Sequence, residues 1–389
     1  MSKRLDAIAN WPWVAPRLAL LAFAVYWGAG LVQTGTDSHY PIAQAMLQGR
    51  LYLTGNYPLL ELVPRPGGGW YSPFPPLISV LMLPFAALGL VIDTDLIAAI
   101  AGAISVLLMW ALMGRIGLER GTRFALTLAW AFGSEVFWVA ATGGQHLAPE
   151  IVAADLLIGA LILGLDRRAP FAAGFCVGLA AAARLPVGLA LPLVLWLYRR
   201  GGWPLALVGV AIPAALVAAY NVARFGTPFE FGYGLITDTN GHEVLSESWY
   251  QEGIISPAYL SLGLSTMLLR GVELRSQFPW ITGSFDGTSV LLTMPILFWI
   301  VTARGRLALV CGATAALILL PDLMHGNPGF AQIGYRFIVD ALPILWLMLG
   351  LAFRNGISRL ARAALLIAIP INIWLSTFAW IAIGRGDLS

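Results

Sequence analysis

Residues 96–123 read LIAAIAGAISVLLMWALMGRIGLERGTR, and the fold is decided by how this stretch is read. Residues 96–113 carry no charge, and Arg115, Arg120 and Arg123 follow at once. Coiled as a helix, such a run is about 27 Å long, close to the roughly 30 Å hydrocarbon core of a bilayer. Arginines at one end mark that end as cytoplasmic.

Working outward, the same pattern recurs. Further apolar runs cover 18–33, 76–91, 124–141, 147–165, 170–183, 186–198, 203–220, 287–302, 307–321, 339–353 and 363–383. The chain of 389 residues is 59% hydrophobic and 11% charged, with a mean hydropathy of +0.79. A soluble domain is roughly 25% charged, so most of these side chains have lipid or protein, not water, to face. The net charge is +3 and the basic residues are scattered, which excludes the clustered basic face that nucleic acid requires. Cys176 and Cys311 sit inside apolar runs and read as small packing residues, not a disulfide or metal pair. The first run lacks a small-residue cleavage signal and reads as a retained span.

Charge bias sets the topology. Lys3, Arg4 and Arg17 place the N-terminus in the cytoplasm. The remaining clusters are Arg115/Arg120/Arg123, Arg167/Arg168, Arg199/Arg200, Arg304/Arg306 and Arg354/Arg359/Arg362. All five fall inside only if 76–91 lies along the outer interface instead of crossing. The segment Arg184-Leu-Pro186 breaks 170–183 from 186–198 and reads as the turn of a tight hairpin. The expectation is an all-α polytopic protein, a single transmembrane domain over 1–389 with about eleven spans and its C-terminus outside. Three outer segments, 34–94 with interfacial helices, 221–286 and 322–338, are rich in polar and aromatic residues, whereas the inner connections are short and basic.

The first outer segment opens Thr34-Gly-Thr-Asp37-Ser-His39-Tyr40, and Ile42, Ala45 and Met46 then recur at helical spacing. Asp37 is either the cap of that helix or a functional carboxylate at the mouth of the first span. Glu61 lies further along the same loop. His146 and Glu150, four apart after Thr142-Gly-Gly, share one face of a helix, and polar satisfaction at a helix end competes with a binding role. Arg184, alone at membrane depth, must face a cavity or snorkel outward. Arg336 stands just before a late run, and Asp340, one helical turn on, reads as its partner or as a direct participant. His39, His242 and His325 show no metal-ligand spacing.

The ordered set of motifs resembles a known family. An acidic residue after the first span, a helix ending Gly49-Arg50-Leu-Tyr52, and Trp70-Tyr71-Ser-Pro-Phe-Pro-Pro76 look like the first outer loop of GT-C glycosyltransferases. The likeness is to the bacterial branch related to protein O-mannosyltransferases and the lipid A aminoarabinose transferase. Asn221-Val-Ala-Arg224-Phe-Gly-Thr-Pro-Phe-Glu230-Phe-Gly-Tyr233 resembles the loop after the middle spans. Gly334-Tyr335-Arg336-Phe-Ile-Val-Asp340-Ala-Leu-Pro343 resembles the mouth of a late span. The resemblance implies a GT-C-like bundle in the bacterial inner membrane. It implies inverting transfer of a sugar from a polyprenyl-phosphate donor, on the periplasmic side, to a lipid, glycan or protein acceptor.

Asp37 matches the family's catalytic base. Inversion needs such a carboxylate opposite the leaving phosphate, and the phosphate needs a cation, for which Arg offers a bidentate fork. Arg336 and then Arg184 are the candidates for that cation. His39, Tyr40, Glu61, His146, Glu150, Glu230, Tyr233 and Tyr335 are candidates to bind acceptor or sugar, although aromatic residues there also suit an interfacial belt. No cofactor is required, and a divalent metal held with Asp37 is left open. The competing functions are a secondary transporter or lipid flippase and a non-catalytic assembly protein. A transporter places charges at mid-membrane within broken helices and often shows paired repeats, and no such repeat is visible here.

Overall fold

The computed structural model describes residues 8–30, 37–55, 57, 60–237, 243–329 and 332–384, with side chains as far as residue 378. Along the chain, α1 (Val14–Gly30) is followed by α2 (His39–Leu47), a two-stranded turn of β1 (Val63–Pro64) and β2 (Trp70–Tyr71), and α3 (Leu77–Ala87). Then come α4 (Thr94–Arg115), α5 (Arg120–Phe132), α6 (Glu135–Thr142), α7 (Gly144–Asp166), α8 (Pro170–Ala183) and α9 (Leu191–Leu197), with a 3-10 turn over Leu185–Ala190. The second half holds α10 (Trp203–Phe225), α11 (Leu260–Leu269), the hairpin β3 (Val272–Leu274) and β4 (Ile281–Gly283), and α12 (Val290–Thr293). It ends with α13 (Arg306–Leu323), α14 (Leu342–Ala352) and α15 (Arg359–Gly384). Thr34 to Thr36 and His242 lie outside the described residues.

The protein is a multi-pass, almost wholly helical membrane protein. Among the described residues α4, α7, α10, α13 and α15 are long and apolar enough to cross a bilayer, and α5 with α6 makes a sixth span if their 48° bend is counted as one element. The expected count of about eleven spans is not fixed by helix length, because several of the apolar runs form shorter or broken elements. Helices α3, α7, α10, α13 and α15 run on through an internal proline, whereas Pro295 and Pro343 stand at the start of new elements, and their runs divide into short pieces. The run 287–302 becomes α12 plus a 3-10 stretch, Pro295–Thr302, and 339–353 becomes the 3-10 turn Arg336–Asp340 plus α14. The segment 76–91 holds only the eleven residues of α3, about 16 Å of helix and roughly half the hydrocarbon thickness.

The centre is packed by indoles that are also hydrogen-bonded. Trp130 and Trp346 meet edge to face, their ring centroids 5.5 Å apart. Trp130 donates to Ser105 Oγ at 2.9 Å and Trp346 to the Leu126 carbonyl at 3.0 Å. This joins α4, α5 and α14 without leaving a polar atom bare in lipid-like surroundings. On one flank α8 and α10 touch backbone to backbone. A Cβ on Gly174 would overlap the Ala206 carbonyl, and one on Gly209 would overlap that of Phe171. Small residues permit that approach, and in a bilayer close packing is the main source of helix association.

Topology is open to a direct check in a background lacking Cys176 and Cys311. Asp93 and Glu119 are both exposed. With α3 on the outer interface, Asp93→Cys reacts with an impermeant thiol reagent added outside, and Glu119→Cys does not. The opposite labelling overturns the orientation.

Candidate functional site

The three polar segments picked from sequence converge on one cavity of about 460 Å³, within the size range of small-molecule sites. Glu61 and Phe74 reach it from the first segment, Tyr233 and Tyr250 from the second, and His325 and Arg336 from the third. The start of α7 adds Gln145 and His146, and the break after α8 adds Arg184.

One wall is a buried charge network. Helix α8 cannot run on into Leu185-Pro186, because the residues before proline avoid helical backbone. Arg184 takes extended backbone there, and its Nε donates to Asp340 at 2.9 and 3.2 Å. Its Nη2 stands 3.7 Å from Glu150 and 3.9 Å from Asp322. Arg336 Nε lies 3.9 Å from Glu150 and has no hydrogen-bond partner among the described residues. The two guanidinium groups lie 4.9 and 5.2 Å from the ring centre of Phe337. Asp340 thus pairs with Arg184, not with Arg336 as the four-residue spacing suggested. Residues 336–340 form a 3-10 turn, in which positions four apart no longer share a face.

The opposite wall is wetter. His146 Nε2 lies 3.4 Å from Glu61 Oε2, and both side chains keep access to the cavity. Burial raises the Glu61 carboxyl above its ordinary range, against the opposing pull of Arg336. Phe74 sets its ring edge-on to His146, centroids 4.9 Å apart, and 6.3 Å from Tyr233. His325 Nδ1 pairs with the Asn327 carbonyl at 2.7 Å. Burial chiefly, with Arg184 and Arg336 nearby, holds its imidazole down to about 4, so it is neutral at physiological pH. A neutral ring that donates from Nδ1 keeps Nε2 as an acceptor.

Of the residues picked from sequence, Arg184, Arg336, Glu61, His146 and Tyr233 line this cavity, and Glu150 is buried immediately behind it. Others stand apart. Asp37, one residue before the N-cap Ser38 of α2, accepts from the backbone N–H of His39 at 2.7 Å, while its Oδ2 is buried without a partner among the described residues. Burial raises its carboxyl also. His39 is buried, facing Ser79 Oγ at 3.1 Å and the carbonyl of cavity-lining Gln145 at 3.2 Å. Tyr40 donates to the Leu90 carbonyl at 3.0 Å and Tyr335 to that of Asp322 at 3.0 Å, so both hydroxyls are spent on backbone. Glu230 closes its own turn by accepting from Gly232 N–H at 2.6 Å. Sequence reading passed over Gln145, Tyr250, His325 and Asn327; the polar His325-Gly-Asn-Pro break at the end of an apolar run was the one available signal. Among the described residues, no group of three or more His, Cys, Asp or Glu is placed to hold a metal ion.

Fold and site together define a multi-pass helical membrane protein with a polar, aromatic-walled cavity under its loops. The chain belongs to glycosyltransferase family 87, whose model matches residues 73–321. Among solved structures it is similar to the apo oligosaccharyltransferase of Archaeoglobus fulgidus, at 14% identity and a TM-score of 0.48 over 95% of this chain and 56% of that one. It is also similar to ArnT from Cupriavidus metallidurans bound to undecaprenyl phosphate, at 16% identity and a TM-score of 0.49 over 96% of this chain and 64% of that one. The chain therefore spans less than two thirds of the length of either structure. No curated protein matches it.

The charge network makes a stability prediction. Removing one member of a buried pair strands the other, at a cost of about 3–5 kcal/mol. Asp340→Leu alone is expected to lower the unfolding midpoint in detergent more than the double variant Arg184→Met with Asp340→Leu. A double variant less stable than the single would show that the pair is not the dominant interaction of these residues.

Proposed function

We propose that this enzyme transfers a sugar, with inversion, from a polyprenyl-phosphate donor to an acceptor on the outer face of the bacterial inner membrane. The N-terminus is cytoplasmic and the C-terminus outside. The observation that carries the reading is the make-up of the cavity lining: two arginines and a carboxylate–imidazole pair share it. Inverting transfer uses both kinds of group. The acceptor oxygen attacks the anomeric carbon from one side while the bond to the phosphate oxygen breaks on the other. Arg336 is the first cation for the departing phosphate, since its Nε is uncommitted; Arg184 offers its terminal nitrogens while Asp340 holds its Nε. A planar guanidinium meets two phosphate oxygens at once, which an ammonium cannot do. Glu61, His146, Tyr233 and His325 are placed to take sugar or acceptor hydroxyls.

A carboxylate of the first outer segment takes the acceptor's proton. Asp37 holds the position that the family resemblance assigns to the base, and its unpartnered Oδ2 is an acceptor in waiting. One observation favours Glu61 instead: it stands on the cavity wall, whereas Asp37 reaches that wall only through His39 and Gln145. For either, burial raises the pKa, so the ionised base is lost at a higher pH than the ordinary 3.8 or 4.5. The acid limb of the kcat/KM profile is accordingly expected above those values.

The test is transfer from polyprenyl-phosphate-sugar donors in nanodiscs, with donor binding measured alongside. Loss of the base costs roughly 10²–10⁴-fold in turnover with donor binding retained. Asp37→Asn keeps an acceptor oxygen for the His39 N–H and Glu61→Gln keeps the shape, so the variant that loses turnover identifies the base. Full activity in both overturns the assignment of the base to this segment. Arg336→Lys is expected to weaken donor binding despite the retained charge, and unchanged binding in Arg336→Ala and Arg184→Ala alike removes the phosphate from this wall.

A further inference from the structure

Glu135 lies outside the cavity, at the first turn of α6, where the span is bent after α5. It is fully buried, and no part of the chemistry above uses it. Its Oε1 accepts from the Thr293 hydroxyl at 2.8 Å, and the carboxylate also accepts from the backbone of Gly334. Asn372 on α15 donates to the Thr293 carbonyl at 2.7 Å and so fixes the far side of that contact. Gly334 is required at this place because a Cβ there would overlap the Glu135 carboxylate.

Two residues after Gly334 comes Arg336. The turn that presents it is held at further points. Gln332 Oε1 accepts from the Arg336 backbone N–H at 3.0 Å, Gln332 Nε2 donates to the Pro328 carbonyl at 3.0 Å and to that of Asp286, Gln332 N–H donates to the Phe285 carbonyl at 3.2 Å, and Tyr335 donates to the Asp322 carbonyl. The Glu135 contact differs in gripping the turn from α6 and in using a charged group. A buried carboxylate is retained against a desolvation penalty, and here its acceptors go to a loop backbone instead of a cation.

We infer that Glu135 is a positioning residue: its carboxylate, backed by Thr293 and Asn372, seats the Gly334 turn and thereby sets where the Arg336 guanidinium meets the donor phosphate. The inference rests on the proposed phosphate role of Arg336. Because Glu135 acts through Arg336, its removal and the removal of Arg336 are not additive. Gln keeps an acceptor oxygen for both donors and restores the seat, whereas Ala does not.

The experiment measures binding of undecaprenyl phosphate to the full chain in nanodiscs, with thermal unfolding recorded for every variant. Glu135→Ala is expected to weaken binding roughly tenfold, within the range seen for coupled neighbours, and Glu135→Gln to bind within about twofold of the unaltered protein. In the Arg336→Ala background, Glu135→Ala is expected to cost almost nothing more, a result that a general loosening of the fold does not give. If Glu135→Ala fails to fold, Thr293→Val, which removes one of the two anchors, carries the test with a smaller loss that likewise vanishes in the Arg336→Ala background. Unaltered binding in the Glu135 or Thr293 variant, or a loss that persists undiminished without Arg336, overturns the inference while leaving the phosphate site standing. Unaltered binding in Arg336→Ala overturns the phosphate reading and the positioning role with it.

Discussion

The buried pair between Arg184 and Asp340 is the interaction on which the rest of the site depends. An ion taken out of water is tolerated only where partners replace its hydration. Here the partners come from far apart in the chain: Asp340 from the 3-10 turn Arg336–Asp340, Glu150 from α7 and Asp322 from the end of α13. The guanidinium therefore works as a clasp. It draws the break after α8 against α7, holds the end of α13 beside both, and leaves the last 3-10 turn no alternative seat.

The clasp also sorts the cavity into two electrical regions. On its side, charges are buried and compensated among themselves. On the other, Glu61 and His146 face the opening, 45% and 37% accessible, and exchange freely with whatever enters. Burial, with two cations nearby, keeps His325 a neutral hydrogen-bonding group. Aromatic rings from Phe74, Tyr233 and Tyr250 line the same cavity, and the two tyrosines add hydroxyls to it.

Much of this was legible before any coordinates. A charge-poor chain with Arg clusters at alternate ends of apolar runs means a membrane bundle, and the lone Arg184 had to face a cavity or snorkel outward; it lines the cavity. His146 and Glu150 do occupy one side of α7, and the three polar segments meet at that cavity. What was hidden depends on local departures from ideal helices. The 3-10 turn at 336–340 rotates Asp340 away from Arg336, and the prolines at 295 and 343 divide runs that hydropathy alone reads as continuous. His325 and Gln145 carry no spacing signal, because their roles arise only when loops more than a hundred residues apart close over the same space. Tyr40, Tyr335 and Glu230 illustrate the converse: polar groups beside a site that are consumed by backbone carbonyls and amides.

The glycine contact between α8 and α10 reaches further than packing. With backbone against backbone at Gly174 and Gly209, the two helices are joined as one stiff post, and Arg184 is mounted on the end of α8. Gly174 is ten residues, or about 15 Å, along the helix from Arg184. Bulk added there pushes α8 away from α10 as a lever does, so the tip moves although nothing near it has been touched. The alignment of the cavity's arginine is in this sense set a helix's length away from it, by residues with no side chain at all.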